Sequence, residues 1–132
     1  MSREDEVRAS FARQGLMRTL GAEMLEVGEG RCVVAAPLRP ESGQQHGFGH
    51  AGLTFALGDT AAGYAAMGAA NEGDVLTVEM KINLLAPARG ERLVATGRVV
   101  RSGRRITVVT AEVVAEPEGR TVALLQGTML PG

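Results

Sequence analysis

Cysteine, lysine and aromatic residues are scarce in this chain of 132 residues, which has one cysteine, three phenylalanines, one tyrosine and no tryptophan. A single cysteine cannot form an internal disulfide, and the N-terminal segment MSREDEVRAS lacks the apolar core of a signal peptide. Both absences predict a cytoplasmic protein. Cys32 lies in the apolar stretch 32–36, and only Arg31 offers a basic neighbour. We therefore interpret Cys32 as a buried structural thiol and not as a nucleophile.

An excess of either charge is also missing. The formal net charge is −1, from 14 basic and 15 acidic residues spread along the chain. This balance provides no electrostatic footprint for nucleic acid, so no nucleic-acid partner is expected. Lys81 is the one lysine, and the remaining basic residues are arginines, the type that pairs best with phosphate and carboxylate.

The twenty residues 51–70 contain one charged residue, Asp59. A carboxylate taken out of water costs several kcal/mol unless it is paired or hydrogen-bonded, so Asp59 is the first candidate for chemistry. The run is as long as a membrane span, but it is rich in Ala and Gly, and a central aspartate costs about 2.5–3.5 kcal/mol in a bilayer. We predict a central helix of a protein core and no membrane partner. Gly58, Gly63 and Gly68 recur on it, which predicts close approach of strands or of another subunit.

The rest of the chain is typical of an α+β protein. Apolar periodicity predicts a short N-terminal helix over 4–14 and strands over 22–27, 31–37, 76–84, 91–101, 105–115 and 121–129. In the third of these strands, alternation predicts one apolar face, formed by Leu76, Val78, Met80, Ile82 and Leu84. Tight turns between consecutive strands indicate antiparallel pairing. We expect one domain over 1–132, with an antiparallel sheet of about six strands packed on the central helix.

The loop before the central helix contains Gly47-Phe48-Gly49-His50-Ala51-Gly52, which matches the G-x-G-x-x-G dinucleotide fingerprint. That fingerprint requires a strand leading directly into the glycines and a mostly parallel sheet, whereas residues 40–46 form a polar loop. We instead expect free N–H groups at the start of the helix, able to hold a developing oxyanion. A carboxylate combined with such donors is typical of enzymes that hydrolyse acyl groups. The sequence contains no serine–histidine pair that would suggest a catalytic triad.

Several residues together resemble one known family. They are Gln44-x5-His50-Ala51-Gly52-x6-Asp59-Thr60-Ala61, Thr77 eighteen residues after Asp59, Leu85-Ala86-Pro87, and the last strand Val122-Ala123-Leu124-Leu125-Gln126-Gly127. This pattern resembles the hotdog-fold acyl-CoA thioesterases, in the branch named for phenylacetic acid degradation, over about residues 17–128. The resemblance implies a sheet wrapped around one long helix and hydrolysis of an acyl-CoA substrate. It implies no separate cofactor, because coenzyme A is part of the substrate.

The resemblance also assigns roles. Asp59 matches the general base or nucleophile, and the Ala51 N–H, helped by Gly52, would polarise the thioester carbonyl. Gln44 matches an asparagine that positions the water or the carboxylate, and Thr77 matches a hydroxyl within the site. In such enzymes the site lies across a homodimer interface, with Gln44 and Ala51 of one chain facing Asp59 and Thr77 of the other. A dimer of dimers is usual.

Two departures from the family pattern keep a second function open. Ala51 replaces the usual first glycine, and Gln44 replaces asparagine, so a non-catalytic protein that binds acyl-CoA stays an alternative. His46 and His50 are four residues apart, but with Asp59 as the only nearby third ligand we predict no metal site.

Substrate contacts outside the catalytic group are expected from two places. His50, at the helix start, is expected to fix the loop by hydrogen bonds beside the substrate. Arg101, Arg104 and Arg105 flank the turn at Ser102-Gly103, where they would either meet the phosphates of coenzyme A or form a solvated hairpin tip.

Overall fold

A computed structural model describes residues 1–132. Two short helices, α1 (Arg3–Ala12) and α2 (Gly15–Leu20), precede the strands β1 (Glu23–Gly28) and β2 (Arg31–Pro37). A 3-10 turn (Pro40–Ser42) and a loop lead into the long helix α3 (Ala51–Ala69). The strands β3 (Val75–Leu84), β4 (Arg92–Ser102), β5 (Thr107–Glu116) and β6 (Arg120–Pro131) complete the chain.

The six strands form one sheet in the order β1-β2-β4-β5-β6-β3, and every neighbouring pair is antiparallel. α3 packs against one face of this sheet and contacts all six strands. The fold predicted from the sequence, an antiparallel sheet of six strands around one central helix with a short helix at the N-terminus, is therefore confirmed. Because β3 follows α3 but pairs with β6, it ends up at the edge of the sheet.

Contact between α3 and the sheet depends on small residues. A side chain at Gly97 of β4 would collide with the α3 backbone at Ala61, so the strand crosses the helix at backbone distance. The added Cβ would lie 2.8 Å from Leu125 at Gly58 and 2.8 Å from the Gly28 carbonyl oxygen at Gly68. The predicted close approach of strands is confirmed at Gly58 and Gly68.

Gly63 is different from the other two helix glycines. A Cβ added at Gly63 would meet only Met129 Cε, at 3.9 Å, which is an ordinary van der Waals contact. No strand of the same chain therefore approaches closely at this position, and of the two predicted alternatives only close approach of another subunit stays a prediction there. Packing within the chain does not require glycine here.

The N-terminus contains two helices where the sequence predicts one. Ser2 and Asp5 form a capping box at the start of α1, and the hydrogen bonds from Ser2 hold the pKa of Asp5 below its usual range. α1 ends at Ala12, and the six-residue α2 follows and stops at Gly21, which adopts a left-handed conformation (φ 69°). A helix of six residues is too short for apolar periodicity to reveal it.

Cys32 lies in the core, on β2. It is fully buried, and this burial raises the pKa of its thiol to about 12. Arg8 and Arg31 favour the thiolate, but their effect is smaller than that of burial. The thiol is thus protonated at neutral pH, which confirms the structural interpretation. No helix of the chain is both long enough and apolar enough to cross a membrane.

Candidate active site

Asp59 and Thr77 meet between the helix and the edge strand. Asp59, half-buried on α3, accepts a hydrogen bond of 2.7 Å at Oδ1 from the Thr77 hydroxyl of β3. The same hydroxyl lies 3.3 Å from Met129 Sδ. No ion pair of the chain includes Asp59, so its charge faces a hydroxyl and open space and not an arginine.

A β-bulge brings Thr77 to this position. Thr77 pairs with Met129, and Glu79 pairs with Thr128, so Val78 is the extra residue. The bulge shifts the phase of the strand, since a one-residue insertion moves following side chains to the opposite face. Thr77 therefore shares the helix-facing side with Met80 and Ile82.

The single apolar face predicted for this strand is wrong at its beginning. Leu76 and Val78 are exposed to 63% and 56% of their surface, because the bulge takes them out of phase with Met80 and Ile82. Leu84, at the other end of the strand, is also exposed. These exposed apolar side chains lie along the edge strand.

Asp59 and Thr77 line a cavity of about 360 Å³. Tyr64 lines it as well, one turn and a half further along α3, where its ring packs edge-on against Phe11 with the centroids 6.1 Å apart. Gln14 Nε2 donates a hydrogen bond of 2.9 Å to the Tyr64 hydroxyl, and Ser10 Oγ lies 3.0 Å from it. The N-terminal helices thus form one wall of this cavity. Sequence reasoning missed this cluster, because its partners are 50 or more residues apart.

A second cavity, of about 520 Å³, lies at the N-terminus of α3 and is lined by Gln44, His50 and Ala51. His50 is the N-cap, and its Nδ1 accepts a hydrogen bond of 2.7 Å from the Gly52 N–H. The Ala51 N–H makes no hydrogen bond within the chain. Of the two backbone donors predicted from the sequence, Ala51 is therefore the free one, and Gly52 is occupied by His50.

Gln44 organises the loop that precedes α3. Its side-chain Oε1 accepts hydrogen bonds from the backbone N–H groups of His46, at 2.6 Å, and Phe48, at 3.2 Å. The side-chain nitrogen of Gln44, Nε2, makes no hydrogen bond within the chain, and Gln44 lines the cavity. Gln44 thus combines a structural contact with a free donor.

The glycine-rich loop is not a dinucleotide site, because the sheet is antiparallel throughout and no strand leads into the glycines. Gly49 has a packing role instead, since a Cβ there would lie 2.7 Å from Leu38 Cδ2 and 3.0 Å from Ala88 Cβ. No group of three or more His, Cys, Asp or Glu side chains is arranged to hold a metal ion.

The two sets of predicted residues do not meet within one chain. Ala51 and Asp59 are eight residues apart on α3, about 12 Å along the helix axis. They line separate cavities, and one thioester carbonyl cannot contact both. Within one chain the predicted residues therefore form two separate groups, an Asp59 group and an Ala51 group.

The arginine-bearing turn between β4 and β5 lies at the same end of the sheet as Thr77. Ser102 pairs with Thr107, Thr107 with Met129, and Met129 with Thr77. Three strand spacings separate the turn from Thr77, about 14 Å. The Gly103 N–H closes the turn on the Ile106 carbonyl at 2.8 Å. The three arginines of this turn are exposed and form no ion pair or side-chain hydrogen bond within the chain; they are Arg101, Arg104 and Arg105.

Comparison with known proteins identifies the family. The model of the thioesterase superfamily matches residues 46–122, more than half of the chain. The chain belongs to the thioesterase superfamily. Its class of reaction is thioester hydrolysis, and the hotdog fold predicted from the sequence is confirmed.

Two relatives of this thioesterase cover most of its length. A thioesterase family protein from Silicibacter pomeroyi has 43% sequence identity and a TM-score of 0.94, covering 99% of this chain and 100% of that one. The acyl-coenzyme A thioesterase PaaI of Escherichia coli K12 is 30% identical over 90% of this chain and 84% of its own length. The structure of E. coli PaaI, from the phenylacetic acid degradation operon, has a TM-score of 0.91 at 25% identity and covers 98% of this chain and 93% of that one. These relatives confirm the predicted relationship to the phenylacetic acid degradation branch.

Proposed function

We propose that this thioesterase hydrolyses acyl-CoA thioesters to a carboxylic acid and free coenzyme A, with Asp59 as the reacting carboxylate. One observation carries the proposal: Asp59 lines a cavity and is hydrogen-bonded by a hydroxyl, with no arginine paired to it. A carboxylate that served only the fold would be expected to have a cationic partner or several N–H donors. The E. coli relative, an acyl-coenzyme A thioesterase, supports the choice of substrate.

The Thr77 hydroxyl orients the carboxylate. Since Thr77 donates to Oδ1, the other carboxylate oxygen accepts no hydrogen bond within the chain and is free to react. It would take a proton from a water that attacks the thioester carbonyl, or attack that carbonyl itself to give a mixed anhydride that water then cleaves. Both routes release the coenzyme A thiol and require the same ionised oxygen.

The Ala51 N–H is the proposed oxyanion donor. It lies at the first position of α3, where the positive end of the helix dipole favours negative charge. Because it has no acceptor within the chain, it can bind the carbonyl oxygen as charge develops there. Gln44 lines the same cavity and has a free side-chain nitrogen, Nε2, which would help to position the water or the carboxylate.

A homodimer would bring the Asp59 group of one chain to the Ala51 group of the other, so that each group forms one half of a site. β3 has an unpaired edge with exposed Leu76 and Val78, and an exposed apolar edge strand favours pairing with a second strand. The Asp59 cavity lies at the start of β3, beside Val75 and Thr77, and the Ala51 cavity lies at its end, beside Leu84 and Leu85.

Antiparallel pairing of β3 with a second copy would therefore place the start of one strand beside the end of the other. A two-fold axis repeats each contact, so one dimer would contain two complete sites. A further pairing of dimers into a tetramer is part of the same proposal, by likeness to the family.

The arginine-bearing turn completes the proposed substrate site. Arg101, Arg104 and Arg105 are unpaired and exposed, and guanidinium groups bind phosphate oxygens well. The pantetheine arm of coenzyme A separates its phosphates from the thioester. The phosphates could therefore contact this turn while the thioester lies at Asp59. No cofactor beyond the substrate is proposed. A cytoplasmic location is part of the proposal, because a chain with one cysteine can form no internal disulfide.

The test compares Asp59→Asn with the unmodified protein in an assay of free thiol release from acyl-CoA esters. We expect turnover to fall by about 10²–10⁴-fold, with the melting temperature and oligomeric state unchanged. Asp74→Asn is the matched control, because Asp74 lines the same cavity but is exposed. Unchanged turnover in Asp59→Asn would refute the assignment. Tight binding of acyl-CoA with no turnover in the unmodified protein would favour the non-catalytic alternative.

A further inference from the structure

We propose that Gly63 is a specificity-determining residue, which keeps the cavity beside Asp59 open for acyl groups that are broad next to the thioester carbonyl. This inference rests on the proposed function, since it takes the Asp59 cavity as the place where the acyl group binds. Gly63 is not itself a catalytic residue, because it has no reacting group.

Gly63 lies between two residues that line the same cavity. Asp59, Gly63 and Met67 follow one another at intervals of four on α3, so they form one stripe along the helix, and all three line the cavity. Successive members of such a stripe are about 6 Å apart. Gly63 is thus the wall position one helical turn beyond the carboxylate.

Packing within the chain does not explain a glycine at this position. An alanine methyl at Gly63 would meet only Met129 Cε, at 3.9 Å, whereas the same methyl at Gly58 would lie 2.8 Å from Leu125. A glycine in the interior of a helix makes that helix less stable than an alanine does. Stability alone would therefore favour alanine at residue 63. The absence of a methyl group at Gly63 therefore leaves open space in the wall of the cavity. It relieves no close contact within the chain.

The remaining walls make this space important for the acyl group. Met129 lies opposite Gly63, and the Tyr64 hydroxyl, held by Gln14 and Ser10, bounds the cavity beyond it. An acetyl group at the carboxylate would not extend to Gly63. A group with a ring or a branch next to the carbonyl would extend into the space, and an added methyl would narrow that space from the helix side.

The experiment uses the full chain and its Gly63→Ala variant. Thiol release is measured with acetyl-CoA and with benzoyl-CoA, together with the melting temperature and the molar mass by light scattering. We expect kcat/KM for benzoyl-CoA to fall by about 10- to 200-fold and that for acetyl-CoA to stay unchanged. We also expect the melting temperature to rise by about 4 °C. Gly58→Ala serves as the packing control, and its melting temperature should fall.

The possible outcomes separate this inference from the proposed function. If the unmodified protein cleaves neither ester, the proposed function fails. If it cleaves both and Gly63→Ala cleaves both equally well, the role of Gly63 is refuted. A lower melting temperature or an insoluble variant would show that the position is packed, and a change in molar mass would place Gly63 at a subunit interface. Either result overturns the inference.

Discussion

The Thr77 hydroxyl of β3 donates a hydrogen bond of 2.7 Å to the Asp59 carboxylate of α3. The bulge at Val78 makes this contact possible, because without it the strand would present its neighbours to the helix. The sheet and the helix therefore meet at one carboxylate oxygen of Asp59, and the other oxygen accepts no hydrogen bond within the chain. In the proposed site, a second copy of the chain would supply the Ala51 N–H that faces this aspartate.

Replacing Thr77 with valine tests the hydroxyl. Valine has the same shape and suits a strand, so the fold should be unaffected. Loss of a hydrogen bond to a charged group is worth about 1.5–3 kcal/mol, which predicts a fall in kcat of about 10- to 150-fold. Thr77→Ser retains the hydroxyl and should retain most of the rate. Steady-state kinetics of both variants decide the matter, and equal rates for valine and serine would exclude the hydroxyl from the site.

Replacing Ala51 with proline removes the proposed oxyanion donor without disturbing the helix. Ala51 is the first residue of α3, where proline is well tolerated, and its N–H has no partner within the chain to lose. His50 has φ −65° and ψ 144°, a conformation that a following proline permits. We expect kcat to fall by about 10²–10³-fold at an unchanged melting temperature. Ala51→Ser keeps the N–H and should stay active; an active proline variant would contradict the oxyanion role.

Burial of Cys32 predicts a loss of stability at alkaline pH. The folded-state pKa is raised to about 12 from the ordinary value of 9.0, so above pH 9 the unfolded chain loses the proton and the folded chain keeps it. The free energy of unfolding should therefore fall as pH rises from 9 towards 12, by up to about 1.4 kcal/mol per pH unit from this group. Cys32→Ala should lack this part of the slope. Urea midpoints of both proteins at pH 8 and pH 10 measure the difference, and parallel slopes would refute the explanation.

Much of the fold follows from local patterns in the sequence. Apolar stretches bounded by turn residues mark every strand to within about two residues, and the long apolar run with a single charge marks α3. Asp59 stands out because it interrupts that run. His50 is expected to make structural hydrogen bonds at the start of the helix, and it does so by accepting one from the Gly52 N–H.

Features that depend on pairing between distant residues were not predictable from local pattern. The bulge at Val78 is set by the register between β3 and β6, which no alternation within β3 reveals. The close crossing of β4 over α3 depends on Gly97 meeting Ala61, and the Tyr64 cluster depends on residues of α1 and of the turn after it. In each case the deciding contact spans more than 30 residues of sequence.

The edge of β3 is exposed, and the proposed site requires a second copy of the chain paired at this edge. Since Ala51 and Asp59 of one chain line separate cavities, the proposed site would take one half from each of two copies. Two different inactive variants should therefore restore activity to each other. An Ala51→Pro chain still supplies Asp59, and an Asp59→Asn chain still supplies the Ala51 N–H.

The most direct test is to produce Ala51→Pro and Asp59→Asn chains together, with a different affinity tag on each, and to isolate mixed dimers by both tags. One site of each mixed dimer would be intact and the other would lack both groups. We predict that thiol release from acyl-CoA recovers to about half of the unmodified rate per dimer, although each variant alone is nearly inactive. Mixed dimers as inactive as either parent would contradict a site shared between two chains.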